Sequence, residues 1–449
     1  MRGGKMIQNI KTMRVIILIA LLRFCIGLDW SGYFSTDNRF LFKEDYPISF
    51  EEYRLSLNSQ QNISENLKFY SEIWLRSFGL PNIRNLSDLS EEDKVNSFDL
   101  NIREAYIGIY GFSLKNLDIR IGRQRIAWGT ADKINPTDNL NADDLEDIWD
   151  FGRHLGANGI KIDGYIKDFN LSYVFLPRFT PAVLPAGNWF YSNFSNITLP
   201  PGTAPESVYN SITMPAYNIK NSITGLKLKK NISRFDFSLS YVYGRDDIPI
   251  LKQTTIVPAG IPGEVDIYNE LVFPKMQIVG LDLAGSIDDF GLWAEGALFL
   301  PESINLVIDM SQLGMGVMDT LVLEKKPYVK YVFGADYTFK NGMYINLQYV
   351  HGFFQERGRG LEDYLLMGLE WKLFEERLKL IPLSGAWEIK DFSDLKNNYA
   401  FVYAPEISYK PVEDCEISVG VRLIDGKEGT NFGVSKDNDE IFFKLKYSF

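Results

Sequence analysis

From residue 28 onward, apolar and polar side chains alternate with a period of two in segment after segment. Phe235, Phe237, Leu239, Tyr241 and Tyr243 alternate with Asp236, Ser238, Ser240, Val242 and Gly244. Tyr331, Phe333, Ala335, Tyr337 and Phe339 repeat the pattern, and so do Ile441, Phe443, Leu445, Tyr447 and Phe449. Successive side chains of a strand point to opposite faces, so each segment predicts a strand with one apolar and one polar or small face. A helix would scatter the same residues around its circumference. Eighteen such strands can be read, at 28–42, 48–58, 66–77, 97–111, 116–128, 157–167, 169–179, 221–231, 234–245, 275–287, 290–301, 327–340, 343–354, 362–374, 376–388, 398–410, 414–424 and 438–449. Sixteen is the alternative count, because 48–58 and 376–388 are poorly patterned.

The connectors alternate in length. Tight turns fall at Gly111–Asn116, Lys167–Asp168, Asn231–Ser233, Asp288–Asp289, Lys340–Gly342, Phe374–Glu375 and Pro411–Glu413. Mostly longer connectors lie between them, at 78–96, 129–156, 180–220, 246–274, 302–326 and 425–437, with 43–47, 355–361 and 389–397 as shorter members of this second set. Tight turns on one side and long loops on the other are the plan of a transmembrane β-barrel. A soluble sandwich explains strands, but its outer faces are polar. In hydrocarbon no water satisfies an open sheet edge, so such a sheet must close on itself. Eighteen strands about 4.8 Å apart and tilted about 40° enclose a backbone cylinder roughly 35 Å across. The wall's own side chains cannot fill that space. The expected fold is all-β, a transmembrane antiparallel up-and-down β-barrel forming a single domain over residues 28–449.

The first residues read as an export signal. Arg2, Lys5, Lys11 and Arg14 precede an unbroken apolar run from Val15 to Leu22, and Cys25-Ile26-Gly27 follows with small residues at the cleavage positions. This is a signal-peptide pattern over residues 1–27. At the other end, Phe449 closes a strand that carries Ile441, Phe443, Leu445 and Tyr447. That ending resembles the C-terminal assembly signal of Gram-negative outer-membrane barrels. It implies outer-membrane lipid and the barrel-assembly machinery as partners, and the bacterial outer membrane as the location.

Composition narrows the chemistry. The 449 residues are 45% hydrophobic and 14% aromatic, which excludes disorder. Past residue 30 nothing approaches the roughly 18 consecutive apolar residues of a spanning helix. A net charge of -11 gives no basic footprint for nucleic acid. Two His and two Cys leave little for a zinc site or a His-dependent catalyst. His351 has no adjacent Ser for the arrangement of a barrel phospholipase, and no phosphate loop or dinucleotide fingerprint is present. No catalytic, metal or cofactor site is expected.

With apolar residues outward, the lumen-facing residues follow by alternation. Lys161, Asp163, Lys227, Lys229, Asp336, Glu370 and Arg422 are expected to line it, among others of both signs. The strand Arg120-Ile121-Gly122-Arg123-Gln124-Arg125 stands out. A bulge at Gly122 would turn Arg123 and Arg125 inward beside Arg120 and build an anion-attracting ladder. The connector that follows, 132–150, holds seven acidic residues. Asp138, Asp143, Asp144, Glu146 and Asp147 are candidates for a constriction loop that folds inward and faces the arginines. An exposed acidic surface loop is the alternative. Its spacing lacks the Gly and closing Glu of a calcium-binding EF-hand. Connectors 180–220 and 302–326 are unusually apolar for exposed loops, which suggests a lid, an inserted segment or packing of loop on loop.

The stretch 120–125, with Gly129 after it, resembles the corresponding strand of porin-like families such as the alginate-export and phosphate-selective barrels. The resemblance implies a passive channel with Arg120, Arg123 and Arg125 along the pathway. The expectation is an outer-membrane, porin-like channel for diffusion of small polar or anionic solutes. A barrel for hydrophobic molecules or an exported polysaccharide, and a closed structural barrel, stay open as alternatives.

Overall fold

The computed structural model describes residues 29–449, without 80, 82, 84–85, 112–114, 186–198 and 428. The expected signal segment 1–27 lies outside the described residues.

Seven wall strands come first: β1 (Asp29–Leu41), β2 (Ile48–Ser64), β3 (Leu67–Phe78), β4 (Ser97–Ile109), β5 (Leu117–Gln124), β6 (Ala157–Ile166) and β7 (Phe169–Leu176). A strand outside the wall follows, β8 (Ala204–Thr213). The wall resumes with β9 (Ile223–Ile232) and β10 (Phe235–Arg245). Next, β11 (Ile250–Pro258) and β12 (Glu264–Val272) leave the wall, and β13 (Lys275–Ile287) and β14 (Phe290–Pro301) rejoin it. After the last excursion, β15 (Ile304–Asp309) and β16 (Val317–Leu323), come β17 (Tyr328–Thr338), β18 (Met343–His351), β19 (Asp363–Leu373) and β20 (Leu378–Ile389). The wall ends with β21 (Tyr399–Tyr403), β22 (Glu406–Val412), β23 (Cys415–Gly426) and β24 (Glu440–Ser448).

Apart from β21 and β22, each wall strand pairs antiparallel with the next, and β1 pairs with β24 from Tyr33↔Ser448 to Leu41↔Glu440. The sheet therefore closes. Phe449 and Gly32 exchange backbone hydrogen bonds of 2.9 and 3.0 Å at the seam. β21 and β22 both pair with β20 and β23, so they are two halves of one stave and the barrel has eighteen. The break falls at Ala404-Pro405, where proline has no N–H for the ladder. Opposite it, Pro382 sits beside a register shift between Leu369 and Trp371. These prolines account for the weak patterning of 376–388. The strand expected at 48–58 runs on through a polar stretch to Ser64, and the one expected at 116–128 ends at Gln124.

Tight turns use left-handed residues such as Lys167, Ser233 and Asp288, whose positive φ suits the twist of two-residue hairpins. The outward face is apolar: Leu239 is 49% exposed and Leu281 61%, while the inward Ser240 and Asp282 are 3% and 6%. A closed sheet with such a belt has a hydrocarbon-facing exterior. Among the described residues, no helix is long and apolar enough to cross a membrane.

Three connectors at the long-loop end are not loops. β8, β11, β12, β15 and β16 form a separate five-stranded sheet in the order β16-β15-β11-β12-β8. The β11–β15 and β8–β12 pairings are parallel and join strands from different connectors. Ile256, Val265, Ile267 and Met310 make its buried core. Loop-on-loop packing thus buries Leu306, Met310 and Leu323 of 302–326, while Met315, Val317, Met318, Leu321 and Val322 stay exposed.

Candidate functional site

The chain leaves the wall at Arg125 and does not return until Ala157. In between it crosses the barrel. The Glu295 carboxylate of β14 accepts hydrogen bonds from the backbone N–H groups of Thr130, Ala131 and Thr137, and from Thr137 Oγ1 at 2.9 Å. Gln348 of β18 donates to the Asp132 carbonyl at 3.1 Å. The loop is therefore moored on the wall opposite its own strand.

Its acidic return leg lies against a basic wall. Arg39 of β1 donates to Asp147 at 2.8 Å, and Arg103 of β4 to Asp144 at 2.8 Å. Arg76 of β3 donates to Glu146 at 2.5 Å. Arg125 donates to Asp138 at 3.1 Å, and His154 faces Asp143 at 3.0 Å. Aromatic rings support the guanidinium groups: Arg54 and Arg103 lie 4.0 and 4.3 Å from the Trp74 centroid, and Arg422 lies 4.6 Å from that of Trp149. Burial raises the Asp147 carboxyl, but Arg39 more than offsets it and holds the group well below the usual carboxylate range. Asp144 is likewise held low against burial, by Arg153 and Arg103. Asp247, in the connector after β10, goes the other way. Burial and the neighbouring Asp143 and Asp246 push it up to about 8. Its carboxylate accepts from the Asp143 backbone N–H at 2.6 Å.

On the other side the mooring is apolar. Ile126, Trp128 and Leu140 of the loop join inward residues Val174, Leu176, Ile223, Val242, Met276, Ile278 and Phe299 in one buried cluster. A Cβ on Gly225 would lie 2.7 Å from Trp128, so the wall needs glycine there for the indole to seat.

The sequence-predicted residues divide between these regions. Asp138, Asp143, Asp144, Glu146 and Asp147 come together on the inserted loop, each in an ion pair. Arg120, Lys161, Asp163, Lys227, Lys229 and Asp336 share the inward parity of their strands. Lys161 pairs with Asp163 and Lys227 with Asp282, each at 2.9 Å, and Lys229 pairs with Asp236 at 2.7 Å. Asp336 accepts from the Tyr344 hydroxyl at 3.2 Å. Arg120 lies 5.5 Å from the Tyr106 ring.

The expected bulge at Gly122 is absent. Pairing runs unshifted from Ile119 to Arg123 against β4 and from Leu117 to Gln124 against β6. Gly122 has φ +135°, and a Cβ there would lie 2.4 Å from the Ala105 carbonyl oxygen, so the glycine serves close approach of backbones. Arg123 keeps the parity of Ile121, which is 48% exposed on the outside, so the inward turn expected for it does not occur. Arg125 lies past the strand, in the loop. The shift occurs one strand away, where β3 and β4 slip between Glu72 and Ile73 and Arg103 is the extra residue.

Sequence reading missed the real ladder: Arg39, Arg54, Arg76 and Arg103, one from each of β1 to β4. Each stands at a polar position of its strand, and that was the available signal. It runs across strands, where a reading along one strand does not look.

A cavity of about 1200 Å³ remains between the inserted loop and the arc from β18 through β24 to β2. Its lining runs from Asn431 and Phe432 at the long-loop end to Glu416 and Lys446 toward the tight turns. Glu370, Arg422 and Asp147 border it, while Arg120, Lys161, Lys227 and Asp336 do not. Among the described residues, no group of three His, Cys, Asp or Glu is placed to hold a metal ion.

No protein-family model matches the sequence, and no curated protein matches it at a significant level. Solved structures share the architecture distantly. OccK11 (OpdR) of Pseudomonas aeruginosa is similar at 11% identity and a TM-score of 0.49, over 94% of this chain and 95% of that one. OmpT, an outer membrane protein of Vibrio cholerae, is similar at 9% identity and a TM-score of 0.43, over 94% and 97% of the two chains. OmpF of Salmonella typhi, solved in complex with daunomycin, is similar at 11% identity and a TM-score of 0.40, again over 94% and 97%. At that distance they speak neither to solute nor to mechanism.

Proposed function

We propose that the protein is an outer-membrane channel through which small polar solutes diffuse passively. The observation that carries this reading is the off-centre cavity of about 1200 Å³, which extends along the barrel beside the inserted loop. Charged groups of both signs border it, among them Asp37, Glu406, Arg422 and Lys444. The likeness of 120–125 to alginate-export and phosphate-selective barrels would favour an anionic solute. Against strong anion selectivity, the guanidinium groups of Arg39, Arg76 and Arg103 are already met by loop carboxylates. We therefore favour weak charge preference.

The test is conductance of the purified protein in planar bilayers. Ohmic current with a reversal potential near zero in a salt gradient is expected. A silent bilayer would favour a closed structural barrel instead.

A further inference from the structure

We infer that the long-loop mouth of this cavity binds small amphiphiles, solutes with an apolar body and one ionic head; the inference rests on the channel reading above. Two groups of apolar side chains face each other there. Ile250 and Leu251 of β11 and Leu323 of β16 come from the five-stranded sheet, and Phe151, Phe354 and Phe432 come from the inserted loop and two further connectors. All but Leu323 are only partly buried, and the cavity is the space they border. Phe151 lies edge to face with Phe353 and tilted against Phe354, within a cluster of rings with centroids 6.4 Å apart or less.

Apolar surface left against water is unfavourable, and a pore that passed only hydrophilic solutes would gain nothing from it. An apolar wall with a few convergent polar groups is instead the common form of a small-molecule site. The polar groups lie deeper in the same cavity: Arg54 and Lys444 on one stretch, Glu406 and Glu416 on the next. A solute entering from the loops would lay its apolar body on the rings and leucines while its head met these charges. Both signs are present, so carboxylate and ammonium heads are both accommodated, and the shared requirement is the apolar body. The sheet explains why loops so rich in Leu, Val and Ile are held open: its strands fix Leu251 and Leu323 at the rim.

The full-length protein in planar bilayers, titrated with acetate, butanoate, hexanoate and octanoate and with the matching alkylammonium ions, tests this. Current block is expected to tighten about two- to fourfold per added methylene in at least one series. Leu251→Ser and Phe354→Ser should each flatten that dependence while leaving the response to acetate unchanged. Calorimetry on protein in lipid nanodiscs, against empty nanodiscs, reads the same series without requiring current. Length-dependent binding without current would support the site and sink the channel reading. Current with no chain-length dependence in either measurement would overturn the site and leave the channel standing. Length dependence unchanged in both variants would also overturn the site.

Discussion

From β23 through β24 and β1 to β4, the basic inward side chains beside the inserted loop are Arg422, Lys444, Arg39, Arg54, Arg76 and Arg103, interleaved with Asp37, Glu52 and Glu440. From β7 to β14, the buried apolar ones against the same loop are Val174, Leu176, Ile223, Val242, Ile278 and Phe299, with the Glu295 carboxylate of β14 taking the loop's backbone N–H groups beside them. One loop is held on both sides by opposite chemistry. The apolar side supplies adhesion, which is non-directional and scales with buried area. The basic side supplies position, because a guanidinium accepts a carboxylate in few geometries. Buried ion pairs add little net stability, but breaking one leaves an uncompensated charge. Inward parity alone does not make a wet wall. What the inward residues meet decides whether a position belongs to the passage or to the mooring.

The largest effect is expected from Arg39→Ala. Arg39 is 2% exposed and holds both Asp37 and Asp147. Its loss should cost about 3–5 kcal/mol in urea unfolding and raise single-channel conductance as the loop loosens. Unchanged conductance would mean that packing alone positions the loop. Next comes Leu140→Ala on the apolar side, 1% exposed, expected to cost roughly 3 kcal/mol with ion preference unaltered. A shift of reversal potential in that variant would erase the distinction between the two sides.

Titration sharpens the contrast further. Asp147 and Asp144 are depressed below 3.8, so their stabilising contribution is complete above that value and lost as the pH falls through their lower folded values. Conductance noise from the loop should therefore stay flat down to pH 4 and rise only in stronger acid. Asp247 is raised, so its neutral form favours the fold, and stability falls as the pH climbs toward about 8. Alkaline recordings should grow noisier near that pH in the native protein and stay quiet in Asp247→Asn. The smallest effect belongs to Arg123→Ala. An arginine with outward parity should leave the reversal potential unchanged, and a measurable loss of anion preference would return it to the passage.

Much of this architecture was legible beforehand. Strand positions, the number of staves and the inward parity of Lys161, Lys227 or Glu370 follow from period-two alternation, which is a local property of extended backbone. For 132–150 its carboxylates beside an arginine strand left two readings open, and the ion pairs of Asp147, Glu146 and Asp144 with Arg39, Arg76 and Arg103 are a tertiary finding. Three further things were not legible. The bulge at Arg103 rather than Gly122 depends on the fit of β3 to β4. The five-stranded sheet joins segments from three connectors, two of its pairings parallel, and no single connector carries that information. Arg39, Arg54, Arg76 and Arg103 form a ladder only because their strands are neighbours at a particular stagger.

The amino-acid order by itself determined a closed sheet with a greasy exterior and two distinct faces on each strand, because alternation and loop length act residue by residue along the backbone. Only the tertiary structure decided which inward groups touch across the lumen. That choice rests on barrel shear and on where the loop from Arg125 to Gly156 comes to rest, and both are set by contacts between residues far apart in the chain.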